Sequence, residues 1–150
     1  MANPRGRYGV LYRTVDVQDP DPGLFLDLVQ GWQEPPEVRG RDVVVPSLAG
    51  RYVGNRVADR RLIILQGEIR GNGVTESDQR IHFDTLVESV RVLFEPTLAP
   101  GPLRITLPSG AVWSINARTL NYVWRKDVPG LYEGLNVEME SVDPNWVLVP

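Results

Sequence analysis

Apolar and polar residues alternate along much of this chain, the period of strands that bury one face in a sheet. Tyr8 to Val17 reads as a first strand, with Val10, Tyr12 and Thr14 on one face and Leu11, Arg13 and Val15 on the other. Asp19-Pro20-Asp21-Pro22-Gly23 ends it, because two prolines fix φ and withdraw two donors before a glycine. Leu24 to Trp32 forms a second strand, closed by Pro35-Pro36, and Arg41 to Pro46 a third around the β-branched run Val43-Val44-Val45. Ser47 to Asp59 loses the periodicity and reads as a long loop.

Arg60 to Arg70 carries the strongest strand signal, since Leu62-Ile63-Ile64-Leu65 places aliphatic side chains on both faces and asks for cover on both. Gly71-Asn72-Gly73 breaks it, and Thr75-Glu76-Ser77-Asp78 can cap a helix start. The helix is expected from about Ser77 to Phe94. Phe83, Leu86, Val87, Val90, Leu93 and Phe94 fall on one stripe, and Glu95-Pro96 stops it. Leu103, Ile105 and Leu107 then point inward from a short strand that turns at Pro108-Ser109-Gly110.

Ala111 to Lys126 and Leu131 to Val142 flank the turn Asp127-Val128-Pro129-Gly130 and predict a long hairpin. Sixteen extended residues span roughly 50 Å, more than the diameter of about 40 Å expected for a compact chain of this length. Part of the hairpin should therefore project. With Tyr122, Trp124 and Leu131 on it, such a ribbon needs a partner to shield its edge and its aromatic rings.

A length of 150 residues without a compositional break indicates one domain, 1–150, large enough to fold on packing alone. The lack of cysteine excludes disulfides and thiolate metal sites and fits assembly in a reducing cytoplasm. No signal peptide and no membrane-spanning run is seen, so no membrane insertion is expected. Sixteen Lys plus Arg against nineteen Asp plus Glu give a net charge of −3, too mild to argue for nucleic-acid binding. The charge is uneven: Arg39 to Arg61 holds six arginines and two acids, whereas Leu62 to the end holds seven basic and eleven acidic residues. Complementary patches meeting between subunits are one reading of this, ordinary solvated faces the other.

Catalytic chemistry finds little support. His82 is the single histidine, so no Ser-His, Cys-His or multi-histidine arrangement can be built. Asp84 and Glu88 read as a solvent-facing helical pair, and Glu138 and Glu140 as neighbours on one strand face. Gly71-Asn72-Gly73 lacks the further residues of a phosphate loop and reads as a turn. No catalytic, cofactor or metal site is assigned.

Taken in order, certain segments resemble the N-terminal ring-forming domain of siphophage distal tail proteins and the related tail-tube fold. They are Arg39-Gly40-Arg41-Asp42-Val43-Val44-Val45-Pro46-Ser47, Arg60-Arg61-Leu62-Ile63-Ile64-Leu65-Gln66-Gly67, the following helix, the 103–107 hairpin, and the ending from Val137 to Asp143-Pro144-Asn145-Trp146. The resemblance implies a mainly β fold with one α-helix: a β-sandwich or barrel flanked by a single helix (about 77–94), with a long projecting β-hairpin (about 111–142). It implies a non-enzymatic structural subunit of the virion tail, made in the host cytoplasm, that forms a homohexameric ring around a DNA channel and links tail tube to tip.

Partners implied are copies of the chain and other tail proteins such as tube, tape-measure and baseplate or tip proteins, with DNA only as transiting cargo and no cofactor. Tail-tube, terminator and connector subunits are alternatives of the same fold. The chain stops at Pro150, where many distal tail proteins continue into a second, often carbohydrate-binding domain, a departure that puts direct receptor binding in doubt and leaves a tube, connector or terminator role open. Within the ring reading, Glu138 and Glu140 are candidate lumen-facing residues that keep DNA from adhering. Tyr122, Trp124, Leu131, Arg51 and Arg56 are candidate subunit contacts, the two arginines lying in a loop expected to touch a neighbouring ring or subunit. The rival from another class is a stand-alone ligand-binding β-barrel or enzyme, which requires an internal pocket with converging polar groups.

Overall fold

The computed structural model describes residues 9–19, 23–33, 38–39, 43–44, 51–52, 57–58, 60–128 and 131–150. In chain order the strands are β1 Gly9–Tyr12, β2 Val15–Asp16, β3 Gln18–Asp19, β4 Leu24–Gln30, β5 Val38–Arg39, β6 Val43–Val44, β7 Arg51–Tyr52, β8 Val57–Ala58 and β9 Arg61–Arg70. The helix α1 Glu76–Leu93 follows, then β10 Gly101–Thr106, β11 Val112–Val128, β12 Tyr132–Ser141 and β13 Val147–Val149. The fold is mainly β with one helix among the described residues.

The principal sheet runs β2-β1-β10-β11-β12-β9-β4-β3, all neighbours antiparallel, with β13 added to the start of β11. The long strand β11 belongs to both halves: residues 112–117 pair with β10, and residues from Arg118 onward pair with β12. Side chains from both halves meet in one core, where Val10, Leu103 and Ile115 join Ile63, Leu65 and Val137. This is the sandwich reading. The ladder stops at β2 and β3, so the sheet is not closed into a barrel, although Val17 bonds to both ends, its N–H to Val10 O at 3.1 Å and its carbonyl to Leu26 N at 2.6 Å.

The helix starts as its first turn dictates. Asp78 N–H donates to Thr75 Oγ1 at 3.1 Å and Thr75 N–H to Asp78 Oδ2 at 3.4 Å, a reciprocal cap. Phe83, Leu86, Val90 and the capping Phe94 are buried, with Val87 and Leu93 packed beside them. Phe94 stacks on Tyr12 of β1, ring centroids 5.6 Å apart, and so fastens the helix end to the sheet.

Two expectations need correction. The first strand does not run from Tyr8 to Val17: it turns at Arg13-Thr14, where φ is +49° and +75°, into β2. This left-handed pair matches the twist of a two-residue hairpin but is costly without glycine. Arg13 holds it, its N–H bonding to Pro102 O at 3.0 Å, its guanidinium to Ala99 O, with Cζ 5.2 Å from the Tyr12 ring centroid. Gly101 leaves room for that guanidinium, since a Cβ there would lie 2.6 Å from Arg13 Cζ.

The stretch from Ser47 to Asp59 is also not loop throughout. Val43–Val44 pairs with Arg51–Tyr52, and Val38–Arg39 with Val57–Ala58, so the described parts of a 38–58 arm between β4 and β9 are two short antiparallel ladders. Val45 and Pro46 of the expected third strand lie outside the described residues.

Candidate assembly edge and the base of the arm

The predicted hairpin is present as β11 and β12, and β12 is paired on its other side with β9 from Tyr132 to Ser141. The exposed backbone of the ribbon is therefore that of β11. The ladder to its neighbour β10 stops where Gly101, the first residue of β10, lies opposite Ala117. From Arg118 to Val128 no second strand flanks β11 among the described residues, a long row of backbone groups facing outward.

A bulge at Leu120, between Thr119 and Asn121, changes which side chains this edge presents. Before it Ile115, Ala117 and Thr119 face the core; after it Tyr122 and Trp124 do, opposite Val137 and Leu135. Tyr122 and Trp124 are half-buried against the core, with their rings edge to face at 6.3 Å. The outward residues are instead Arg118, Leu120, Asn121, Val123 and Arg125, with Val123 56% exposed. Leu131 is half-buried, and its carbonyl accepts from Gly71 N at 2.9 Å. Arg51 contributes backbone to the β6–β7 ladder, and Arg56 lies outside the described residues.

Glu138 and Glu140 share the helix-free face of β12, but their surroundings differ. Glu138 is exposed, whereas Glu140 is buried, its side chain 8% exposed. Arg118 donates to Glu140 Oε1 through Nε at 2.9 Å and NH2 at 2.5 Å, and Arg60 donates to Oε2 at 2.8 Å. Hydrogen bonds from Arg118, and then Arg60, hold this carboxyl below the usual carboxylate range against the opposing effect of burial. Its charge is thus taken up within the chain, and of the two acids Glu138 is the one exposed to solvent.

Where the arm leaves the sheet, the backbone turns at Gly31, φ +107°, a site at which a Cβ would meet Leu62 O at 2.7 Å. Gly31 O accepts from Arg61 NH1 at 3.0 Å and from Trp146 Nε1 at 2.8 Å, and Arg61 Nε reaches Pro144 O at 2.8 Å. Trp32 packs against Trp113 and Trp146, with centroids 5.7 and 5.4 Å apart. Sequence reasoning missed this corner. Its signal was four tryptophans, three of which the fold gathers at one place.

His82 and Glu88 each have a partner, whereas Asp84 is exposed on the helix. His82 Nδ1 accepts from Asn72 N at 2.8 Å, and Glu88 pairs with Arg91 at 2.5 Å on the exposed helix face. No group of three or more His, Cys, Asp or Glu among the described residues could hold a metal, and no described helix is long and apolar enough to cross a membrane. Surface grooves occur beside Arg70, Asn72, Gln79 and Tyr132 (about 410 Å³) and beside Ser114, Asn116, Asp143 and Asn145 (about 530 Å³).

No protein-family model matches the sequence, and neither does any curated protein. Among solved structures the chain is similar to the Dit protein (gp 19.1) of SPP1, described as a paradigm of the hub adsorption apparatus in phages that infect Gram-positive bacteria. The identity is 14% and the TM-score 0.62, over 91% of this chain and 50% of that one, so this chain spans half the length of the SPP1 protein. Lower likenesses are to the tube-terminating cap of the anti-feeding prophage (10% identity, TM-score 0.48, 99% of this chain and 93% of that one) and to a chain of the native gene transfer agent virion (12%, 0.46, 100% of both). At this identity the likeness is one of fold: the chain shares the fold of the matched half of the SPP1 Dit protein, a phage distal-tail-like fold.

Proposed function

We propose that this chain is a structural subunit of a phage tail that joins copies of itself edge to edge into a ring, with the distal tail as its place. The observation that carries the reading is the outward edge of β11 from Arg118 to Val128, which has lost β10 and gained no other strand among the described residues. Such an edge is a template for another chain unless something covers it.

The half-sheet β11-β12-β9-β4 supplies a complementary site at its other side. There β3 pairs with Leu24 and Phe25 and Val17 O takes the Leu26 N–H, leaving Leu28 to Gln30 at the margin among the described residues. Joining β11 of one copy to β4 of the next is a heterologous contact, which yields a closed ring when the rotation per copy closes. Six copies is the number implied by the resemblance. In such a ring the helix-free face, with Asn121, Asn136, Glu138 and Gln66, lines the channel, while α1 lies on the opposite side. Exposed Glu138 then repels transiting DNA.

The 38–58 arm is the natural reach toward a neighbouring ring or subunit, with Arg51 and Arg56 as contacts. Equal protease sensitivity of this arm in free and assembled chains would remove that role. Ring formation itself is read by mass measurement and negative-stain microscopy of concentrated protein: rings or tubes support the reading, and a strictly monomeric chain ends it. Tube, terminator and connector positions are separated from the distal tail by locating the chain within purified particles.

A further inference from the structure

We propose that Glu140 is a positioning residue that couples the base of the 38–58 arm to the outward edge of β11. The inference rests on the reading above, in which the arm and that edge are both contact elements.

Glu140 stands on β12, which is held from both sides by β11 and β9. Its two oxygens serve different elements: Oε2 takes Arg60 at 2.8 Å, and Oε1 takes Arg118 at 2.9 and 2.5 Å. Arg118 is the first β11 residue past Ala117, where the ladder to β10 stops. Arg60 is the residue through which the chain returns from the arm into β9, and the next residue, Arg61, bonds Gly31 O at the arm's other root. Because the carboxylate oxygens are fixed in one plane, a displacement of Arg60 that turns the carboxylate also turns the acceptor of Arg118. Arm and edge therefore share one rigid joint, and engagement of one favours the geometry of the other.

The two arginines predict different tolerance. Arg60 engages through a single nitrogen, which a lysine can replace, whereas Arg118 engages through two nitrogens in a fork that a lysine cannot reproduce.

Hydrogen exchange read by mass spectrometry on the unassembled full chain tests the coupling, with Arg60→Ala, Arg60→Lys, Arg118→Ala and Glu140→Gln. Expected is roughly threefold or greater acceleration of β11 amides beyond Ala117 in Arg60→Ala, of β8 amides in Arg118→Ala, and of both in Glu140→Gln. Arg60→Lys should stay near the parent. Acceleration confined to the substituted strand overturns the proposal. So does equal acceleration at Ile63 and Leu65 in the core, which would make the network a general stabiliser only. Whether rings form is scored separately by mass, so failure of the ring reading and failure of the coupling are distinguishable.

Discussion

Arg118 and Glu140 face each other across β11 and β12, and the guanidinium grips one carboxylate oxygen through two nitrogens, at 2.9 and 2.5 Å. Glu140 is buried while both arginine partners remain about half exposed. Glu140→Ala therefore removes the buried acceptor that Arg118 and Arg60 share, at an expected loss of about 1–3 kcal/mol, below the range for fully buried pairs because solvent screens the arginines. Thermal and urea unfolding of the variant measure it.

The same network sets a pH dependence. The folded-state pKa of Glu140 is lowered, so its contribution is fully present above the ordinary glutamate range and is lost as pH falls through the folded value. Unfolding titrations should show parent and Glu140→Gln differing at neutral pH and converging in acid. A constant gap down to the lowest accessible pH would contradict this.

Leu120, on the bulge, is 38% exposed at the outward edge of β11. Leu120→Lys places a charge where an incoming strand would pair, the means by which edge strands are kept from associating. Ring assembly should fail while the melting temperature moves little, within about 0.5 kcal/mol in stability terms. Sedimentation of the variant beside the parent decides it.

Thr119 Oγ1 is buried and finds no hydrogen-bond partner among the described residues. Replacing the hydroxyl by a methyl removes an unsatisfied group at nearly constant volume, so Thr119→Val is expected to be neutral or to stabilise by up to about 1 kcal/mol. A clear destabilisation in urea would show that the hydroxyl is engaged after all.

Gly31 takes φ +107°, and a side chain there would press on Leu62 O and Ile63. Gly31→Ala should cost about 2 kcal/mol or more through strain and displacement of the carbonyl that receives Arg61 and Trp146. Trp146→Phe, which keeps the ring but loses the donor, should cost about 1 kcal/mol. Calorimetry on both separates the backbone effect from the hydrogen bond.

Where local periodicity matched tertiary burial, the chain could be read directly. Ile63 and Leu65, Leu103 and Ile105, and the stripe from Phe83 to Phe94 all bury as their spacing requires. Arg13-Thr14 could not be read, because neither residue favours the left-handed region and the bonds that enforce it come from Ala99 and Pro102, far along the chain.

The facing of Tyr122 and Trp124 was hidden for a related reason. A single bulged residue reverses strand parity without leaving a mark in the alternation. Glu140 and Glu138, two apart in sequence, looked equivalent until register placed Arg118 and Arg60 beside only one of them. The arm's pairing spans a stretch whose alternation is weak, so only backbone geometry reveals it.

The half-sheet from β11 to β4 has two unlike margins, and unlikeness gives a growing row direction. In the proposed ring, a copy spoiled at β11 would still dock through β4 and then refuse the next arrival. In the proposed assembly a small dose of such molecules would act as chain stoppers, leaving arcs in place of circles, far beyond what simple dilution of the healthy pool could do.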